Sequence, residues 1–238
     1  MRLLVTRPHA EALRTAAELT LRGHQALIAP VLTIEPVPDA AFDPGSFDAI
    51  IMTSGNAARA LAAHPALSRS LALPVFAVGG QTAQGAREAG FFEVVSADGD
   101  AADLLALVRA RWGAGGARLL YLAGSDRSRD LAAELAANKI HVETVVIYSA
   151  NAAARLPDEA EQAIRNGSVA GVLHYSRRST AIFLDCIDAA GLGAPAQPLI
   201  HYCLSQRAAD PLSARGLRGI RIAPRPDEAA LLDLIAAG

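Results

Sequence analysis

The sequence predicts an α/β protein built from two similar doubly wound domains, each around a parallel sheet. Three observations predict it. The first is a long internal repeat: RLLVTRPHAEALRTAAEL at 2–19 returns as RLLYLAGSDRSRDLAAEL at 118–135, with seven of eighteen positions identical. The likeness continues in order. FDAIIMTSGNAARAL (47–61) meets SVAGVLHYSRRSTAIFL (168–184), LPVFAVGGQTAQGAREAGF (73–91) meets QPLIHYCLSQRAADPLSARGL (197–217), and EVVSADGDAADLLALV (93–108) meets GIRIAPRPDEAALLDLI (219–235). The period is roughly half the chain, far beyond the 20 to 50 residues of a stacked repeat, so it marks two domains and a cleft between them. The second observation is that the apolar runs are continuous rather than alternating, as in strands covered by helices on both faces. The third is a hydrophobic fraction of 52% against 19% charged, enough for two buried cores in 238 residues.

The elements follow in order. LLV opens the first copy, then a helix over 9–22, ALIAPVLTI, AIIM, a helix, VFAVG, a helix, EVVS and a last helix. The second copy repeats this as LLYL, VETVVIYS, GVLHYS, LIHYC and IRIA with helices between. Gly and Pro mark the joints. VLTIEPVPDAAFDPG (31–45) and VIYSANAAARLPDEA (146–160) occupy matching places and read as extended linkers, while RWGAGGAR (111–118) separates the copies. The repeat leaves two partitions open: domains that follow the copies, or domains that exchange halves through the linkers.

A net charge of −2 excludes a general polyanion surface of the nucleic-acid kind. The N-terminus has too short an apolar run for a signal peptide, and no stretch is long enough to span a membrane, which predicts a soluble cytoplasmic protein. Cys186 and Cys203 lack metal-ligand spacing, and a disulfide is not expected without export. Cys203 reads as a half-buried thiol without a base beside it, and His174 and His201, in equivalent strands, read as structural.

In a parallel sheet, ligands bind beyond the carboxyl ends of the strands. The residues predicted there are Thr6 and Arg7; Thr53, Ser54, Gly55 and Asn56; Gly79, Gly80, Gln81 and Thr82; Gly124, Ser125, Asp126 and Arg127; Tyr148; Ser176, Arg177, Arg178 and Ser179; Ser205 and Gln206. Small hydroxyl and glycine residues dominate, and pairs of carboxylates or histidines suited to acid–base work are nearly absent. Helix N-termini in such loops favour anions, although Ser, Thr and Asn there also serve simply as caps. With Arg7, Arg127, Arg177 and Arg178 nearby, the set points to a polyanionic ligand. TSGNA (53–57) is similar to the phosphate loop of flavodoxins but follows the third strand rather than the first. Gly79–Gly85 lacks the lysine of a P-loop, and no GxGxxG follows a strand, so dinucleotide binding has little support.

Taken in order, LLVTRP, IIMTSGNAA, VFAVGGQTA, LLYLAG with Arg127 or Arg129, VETVVIYS and LHYSRRS resemble the uroporphyrinogen-III synthase family over essentially the whole chain. The resemblance implies flavodoxin-like domains that exchange halves: 1–36 with 152–238, and 40–147, joined by a two-stranded linker near 36–40 and 148–152. It implies a hydro-lyase without cofactor or metal that cyclises hydroxymethylbilane, a linear tetrapyrrole with eight carboxylates, with inversion of ring D. Tyr148 matches the family's tyrosine at the strand entering the second linker, and a phenol would assist departure of the hydroxyl. Thr82 and Ser176, with Thr53, Ser54, Asn56, Gly79, Arg7, Gly124, Arg127 and Arg177, would bind the carboxylate side chains. Two departures stand out: Cys203–Ala208 replaces the glycine and threonine pattern that the first copy keeps as Gly79–Ala83, and Lys139 stands where many relatives carry glycine. A tetrapyrrole-binding domain without turnover and a flavin phosphate module remain as alternatives, and a monomer is expected.

Overall fold

The structure is a computed structural model that describes residues 1–113, 115–127 and 129–236. Its elements in chain order are β1 (Arg2–Val5), α1 (His9–Leu21), β2 (Gln25–Ile28), β3 (Leu32–Pro36), β4 (Ala49–Met52), α2 (Gly55–Ala62), α3 (Leu67–Ser70), β5 (Val75–Ala77), α4 (Gly80–Glu88), β6 (Val94–Ser96) and α5 (Ala101–Trp112). They continue with β7 (Arg118–Gly124), α6 (Leu131–Ala136), β8 (His141–Ala152), α7 (Asp158–Arg165), β9 (Gly171–His174), α8 (Arg177–Ala189), α9 (Gly193–Ala196), β10 (Ile200–Cys203), α10 (Gln206–Ala214), β11 (Ile220–Ile222) and α11 (Glu228–Ala236). No helix among the described residues is long and apolar enough to cross a membrane.

The chain divides into two compact units: Met1–Thr33 with Asn151–Gly238, and Ile34–Ala150. Unit 1 carries a sheet in the order β11-β10-β9-β1-β2, every pair parallel. Renumbered by chain order within the unit this is 2-1-3-4-5, the flavodoxin-like arrangement, whose strand order reverses between β1 and β9. Unit 2 has the order β3-β8-β7-β4-β5-β6. Starting at β7 gives the same 2-1-3-4-5 order, circularly permuted, with the reversal between β7 and β4. Each unit thus takes the first part of one copy and the second part of the other. The boundaries fall inside β3 and β8, so parts of the segments that read as linkers in the sequence, 32–36 and 146–152, are strand.

The run ALIAPVLTI forms two strands rather than one, because Pro30 has no N–H to give to a ladder. On β1, Leu4 packs with α8 and α10 on one face while Leu3 and Val5 pack with α1 and α11 on the other. Both faces being buried explains why these strands show no alternation. Unit 2 repeats the pattern: Ile51 and Leu119 pack with α5, and Ile50 and Leu120 with α2. Lys139 lies at φ +58, the left-handed region in which glycine carries no penalty.

Candidate functional site

The predicted loops after β1, β4, β7 and β9 fall at the two points where strand order reverses, while Gly79–Thr82 follows β5 and Ser205 with Gln206 follows β10. In unit 2 the reversal lies at the carboxyl ends of β4 and β7. Thr53 bonds across the switch point, its hydroxyl 2.9 Å from that of Tyr121. Ser54 caps α2 by accepting from the Asn56 N–H at 3.2 Å, and Asn56 Oδ1 accepts from Arg59. The capping role weighed for these residues is therefore real, and the side-chain oxygen of Ser54 is already used.

Tyr148 is placed by an irregularity. β7 and β8 run in register to Ala123 opposite Val146, and then Gly124 faces Tyr148, so Ile147 is an extra residue that re-aims the tyrosine. The phenol lies against Gly124, where a Cβ would come 2.7 Å from Cζ and 2.9 Å from the hydroxyl oxygen. The Tyr148 carbonyl accepts from the Ser125 N–H at 3.0 Å. Glycine at 124 is a steric requirement of the tyrosine's position.

Beside the end of β7 lies a cavity of about 510 Å³ lined by Tyr121, Ser125, Arg127, Arg129, Asp130, Leu131 and Thr144. A smaller one, about 110 Å³, shares Arg127 and adds Thr53. Arg129 is held by Glu134 through two hydrogen bonds of 2.9 and 2.6 Å. Arg127, which lines both cavities, donates a long 3.4 Å bond to the Gly124 carbonyl. Thr82 is buried within α4. Gly79 precedes that helix with extended backbone, and a Cβ there would meet nothing nearer than 3.9 Å, so its glycine is not enforced by packing.

In unit 1 the switch point joins the ends of β1 and β9, where the Thr6 hydroxyl donates to the Leu173 carbonyl at 2.7 Å. Ser176 caps α8, accepting from the Ser179 N–H at 3.1 Å. Arg177 and Arg178 are exposed on the first turn of α8. Arg7 departs from expectation. Its guanidinium pairs with Glu228 at 2.8 Å, bonds Thr15 and stacks 4.2 Å over the Tyr175 ring. The Tyr175 hydroxyl lies 3.4 Å from both Thr15 and Glu228, and burial pushes the phenol well above the usual tyrosine range, out of reach as an acid. A carboxylate thus does stand at this end of the sheet, and Arg7 is neutralised by it.

Cys203 is fully buried rather than half-buried, and burial raises its thiol to about 12, which removes it as a nucleophile. His174 and His201 are core residues, as expected. Ser205 caps α10, and Arg207 is exposed on its first turn. Among the described residues no group of three or more His, Cys, Asp or Glu could hold a metal ion. Sequence reasoning missed Tyr121 and Glu228. Tyr121 carried a signal, a lone hydroxyl inside the apolar run LLYLAG; Glu228 carried none, being 221 residues from its partner.

A family model described as Uroporphyrinogen-III synthase HemD matches residues 14–233. The chain belongs to the uroporphyrinogen-III synthase family, enzymes of tetrapyrrole biosynthesis. Among solved structures, the uroporphyrinogen-III synthetase of Helicobacter pylori 26695 aligns with a TM-score of 0.68 at 18% identity, covering 100% of this chain and 99% of that one. A mutant uroporphyrinogen III synthase of the extremely thermophilic bacterium Thermus thermophilus aligns at 0.54 and 19% identity, covering 100% and 98%. At such identities these two bear on the fold. No curated protein matches the chain.

Proposed function

We propose that this enzyme is a hydro-lyase that converts hydroxymethylbilane to uroporphyrinogen III, with loss of water and inversion of ring D. The reading rests on family membership across nearly the whole chain, and the single structural observation that carries it is Tyr148 seated by a bulge against a glycine. In the reaction ring A loses its hydroxyl to give an azafulvene, ring D attacks through its substituted carbon, and the resulting spiro intermediate fragments and recloses. Tyr148 donates a hydrogen bond to the departing hydroxyl. A phenol is too weak an acid to protonate it outright at neutral pH, so the tyrosine assists departure without committing the proton.

Most of the enzyme's task is conformational, because the azafulvene closes unaided to the uninverted ring. Holding the chain ends in a folded pose is catalysis by proximity. Arg127 and the backbone N–H groups of the loops after β4 and β5 take substrate carboxylates in unit 2, with Thr53, Ser54, Asn56, Gly79, Thr82 and Gly124 shaping those loops. Ser176 and Arg177 do so in unit 1. Arg7 acts there only by exchanging Glu228 for a substrate carboxylate. The enzyme works without a cofactor, as a monomer in the cytoplasm.

The test is conversion of hydroxymethylbilane with product isomers separated by chromatography. The expected result is type III product, formed faster than spontaneous closure. Type I product alone, at the spontaneous rate, would overturn the assignment and favour a tetrapyrrole-binding protein without turnover.

A further inference from the structure

Unit 1 holds another cavity, of about 220 Å³, on the far side of its sheet from the switch-point loops in the strand direction. Its lining comes from the last turns of α8, from α9 and from the segment after α10, all of which gather at the amino end of β10. Phe183, Leu184, Ile187 and Ala196 form buried apolar walls. The buried polar group among them is His201, only 2% exposed.

The imidazole has one nitrogen to offer. His201 Nδ1 lies 3.0 Å from His174 Nε2, which leaves Nε2 as the ring nitrogen of His201 outside that pair. His174 Nδ1 is buried and unpartnered. Were His201 the donor in this pair, the proton of His174 would sit on Nδ1 as an orphaned buried N–H. Orphaned donors are rarer and costlier than unfilled acceptors. In either tautomer one of the two remaining nitrogens carries a proton; His174 Nδ1 is sealed in the core while His201 lines the cavity, so the proton belongs on His201 Nε2 and His174 Nε2–H donates to His201 Nδ1. Burial holds both rings neutral at pH 7, driving His201 down to about 4 and His174 well below the ordinary histidine value.

The mouth is polar but, among the described residues, offers no free positive charge. Arg215 stands there bonded to Asp185 at 3.0 Å and also to Asp188. An anion gains nothing at such an entrance, and a cation would be stranded among the apolar walls. An apolar cavity of about 150 Å³ accommodates benzene in another protein, so this one has room for a ring and a short substituent.

We propose that this cavity binds a small neutral single-ring molecule that presents one hydrogen-bond acceptor, such as a ketone carbonyl, to His201 Nε2–H. The site is separate from the tetrapyrrole reading and stands without it. Acetophenone is the probe, titrated into the full-length ¹⁵N-labelled protein, with α-methylstyrene as a partner of the same shape that lacks the acceptor. Saturable amide shifts are expected around 184–187 and 193–197, with the hydrocarbon binding about five- to tenfold more weakly for want of one neutral hydrogen bond. Ala196→Phe, which fills the cavity, abolishes the shifts. Should that variant not fold, intermolecular NOEs from the acetophenone methyl to Phe183 and Leu184 locate the ligand in the unaltered protein. Absence of saturable shifts, shifts elsewhere, or equal affinity for the two probes would overturn the proposal.

Discussion

At the scale of single residues the decisive arrangement is Tyr148 against Gly124. Replacing Tyr148 by Phe keeps the ring and its packing against the apolar layer of α2, and removes only the hydroxyl. Turnover is expected to fall within, or somewhat below, the span of about 10² to 10⁴ typical of general acid catalysis, with the thermal midpoint little changed. A Tyr148→Phe enzyme with the parent's rate and isomer ratio would show that the phenol is only a packing group. Gly124→Ala attacks the same arrangement from the other side. The added methyl would stand 2.7 and 2.8 Å from two ring carbons and 2.9 Å from the hydroxyl oxygen, so the tyrosine must move. The expected cost is about 1 to 3 kcal/mol of stability, as for other overpacked sites, together with a loss of turnover. Unfolding in urea and the isomer assay on one preparation separate the two effects, and full activity in Gly124→Ala would mean that the ring's position is not used in the reaction.

Among the elements, α11 is fastened to the loop after β1 by Glu228, which reaches Arg7 and Thr15 and lies close to Tyr175. Arg7 and Glu228 have side-chain exposures of 18% and 24%, so their pairing is shielded from much of the screening that weakens surface ion pairs. Glu228→Gln should lower unfolding stability by about 1 to 3 kcal/mol, since it leaves a half-buried guanidinium short of its counter-charge. Equal urea midpoints for variant and parent would refute that anchoring. The strands β9 and β10 carry a second liability in His174 and His201. Both are depressed in the fold by burial, so the unfolded chain binds more protons below its ordinary histidine value of about 6.5. Stability is then fully present above that value and is lost as pH falls from about 6.5 toward 4, by about 1 to 3 kcal/mol per pH unit for one to two protons. A urea midpoint that stays flat between pH 7 and 5 would contradict this. These cases also mark what was legible in the chain. Continuous apolar runs such as AIIM and LLYL announced buried strands, and Ser54 and Ser176 announced helix starts, because such signals are local. The pairing of Arg7 with Glu228 was not legible, since nothing near either residue records a contact made across the sequence. The bulge at Ile147 was hidden for a similar reason: it depends on the neighbouring strand, not on β8 alone.

Taken whole, the molecule gives its two units different folding problems. Unit 2 is a continuous stretch, Ile34–Ala150, that closes β8, β7, β4, β5 and β6 without help from the rest of the chain, pairing Ala49 with Leu119. Unit 1 must pair Leu3 with Gly171, bringing together segments separated by the whole of unit 2. The extra loop-closure entropy is small, about 1 kcal/mol or less, because that cost grows only logarithmically with length. The larger asymmetry is one of composition: β1 and β2 alone cannot bury their faces, since the layer over Leu4 comes from α8 and α10, and the layer over Leu3 and Val5 includes α11. A fragment of residues 34–150 should therefore fold by itself, with a cooperative urea transition and a dispersed amide spectrum. A fragment of residues 1–150 should show only that one transition, with residues 1–33 unprotected from hydrogen exchange until the complementary piece 151–238 is added. Protection of Leu3, Leu4 and Val5 in the 1–150 fragment alone would show that the first strand finds a partner within its own copy. That outcome would sink the account of exchanged halves as the unit of folding.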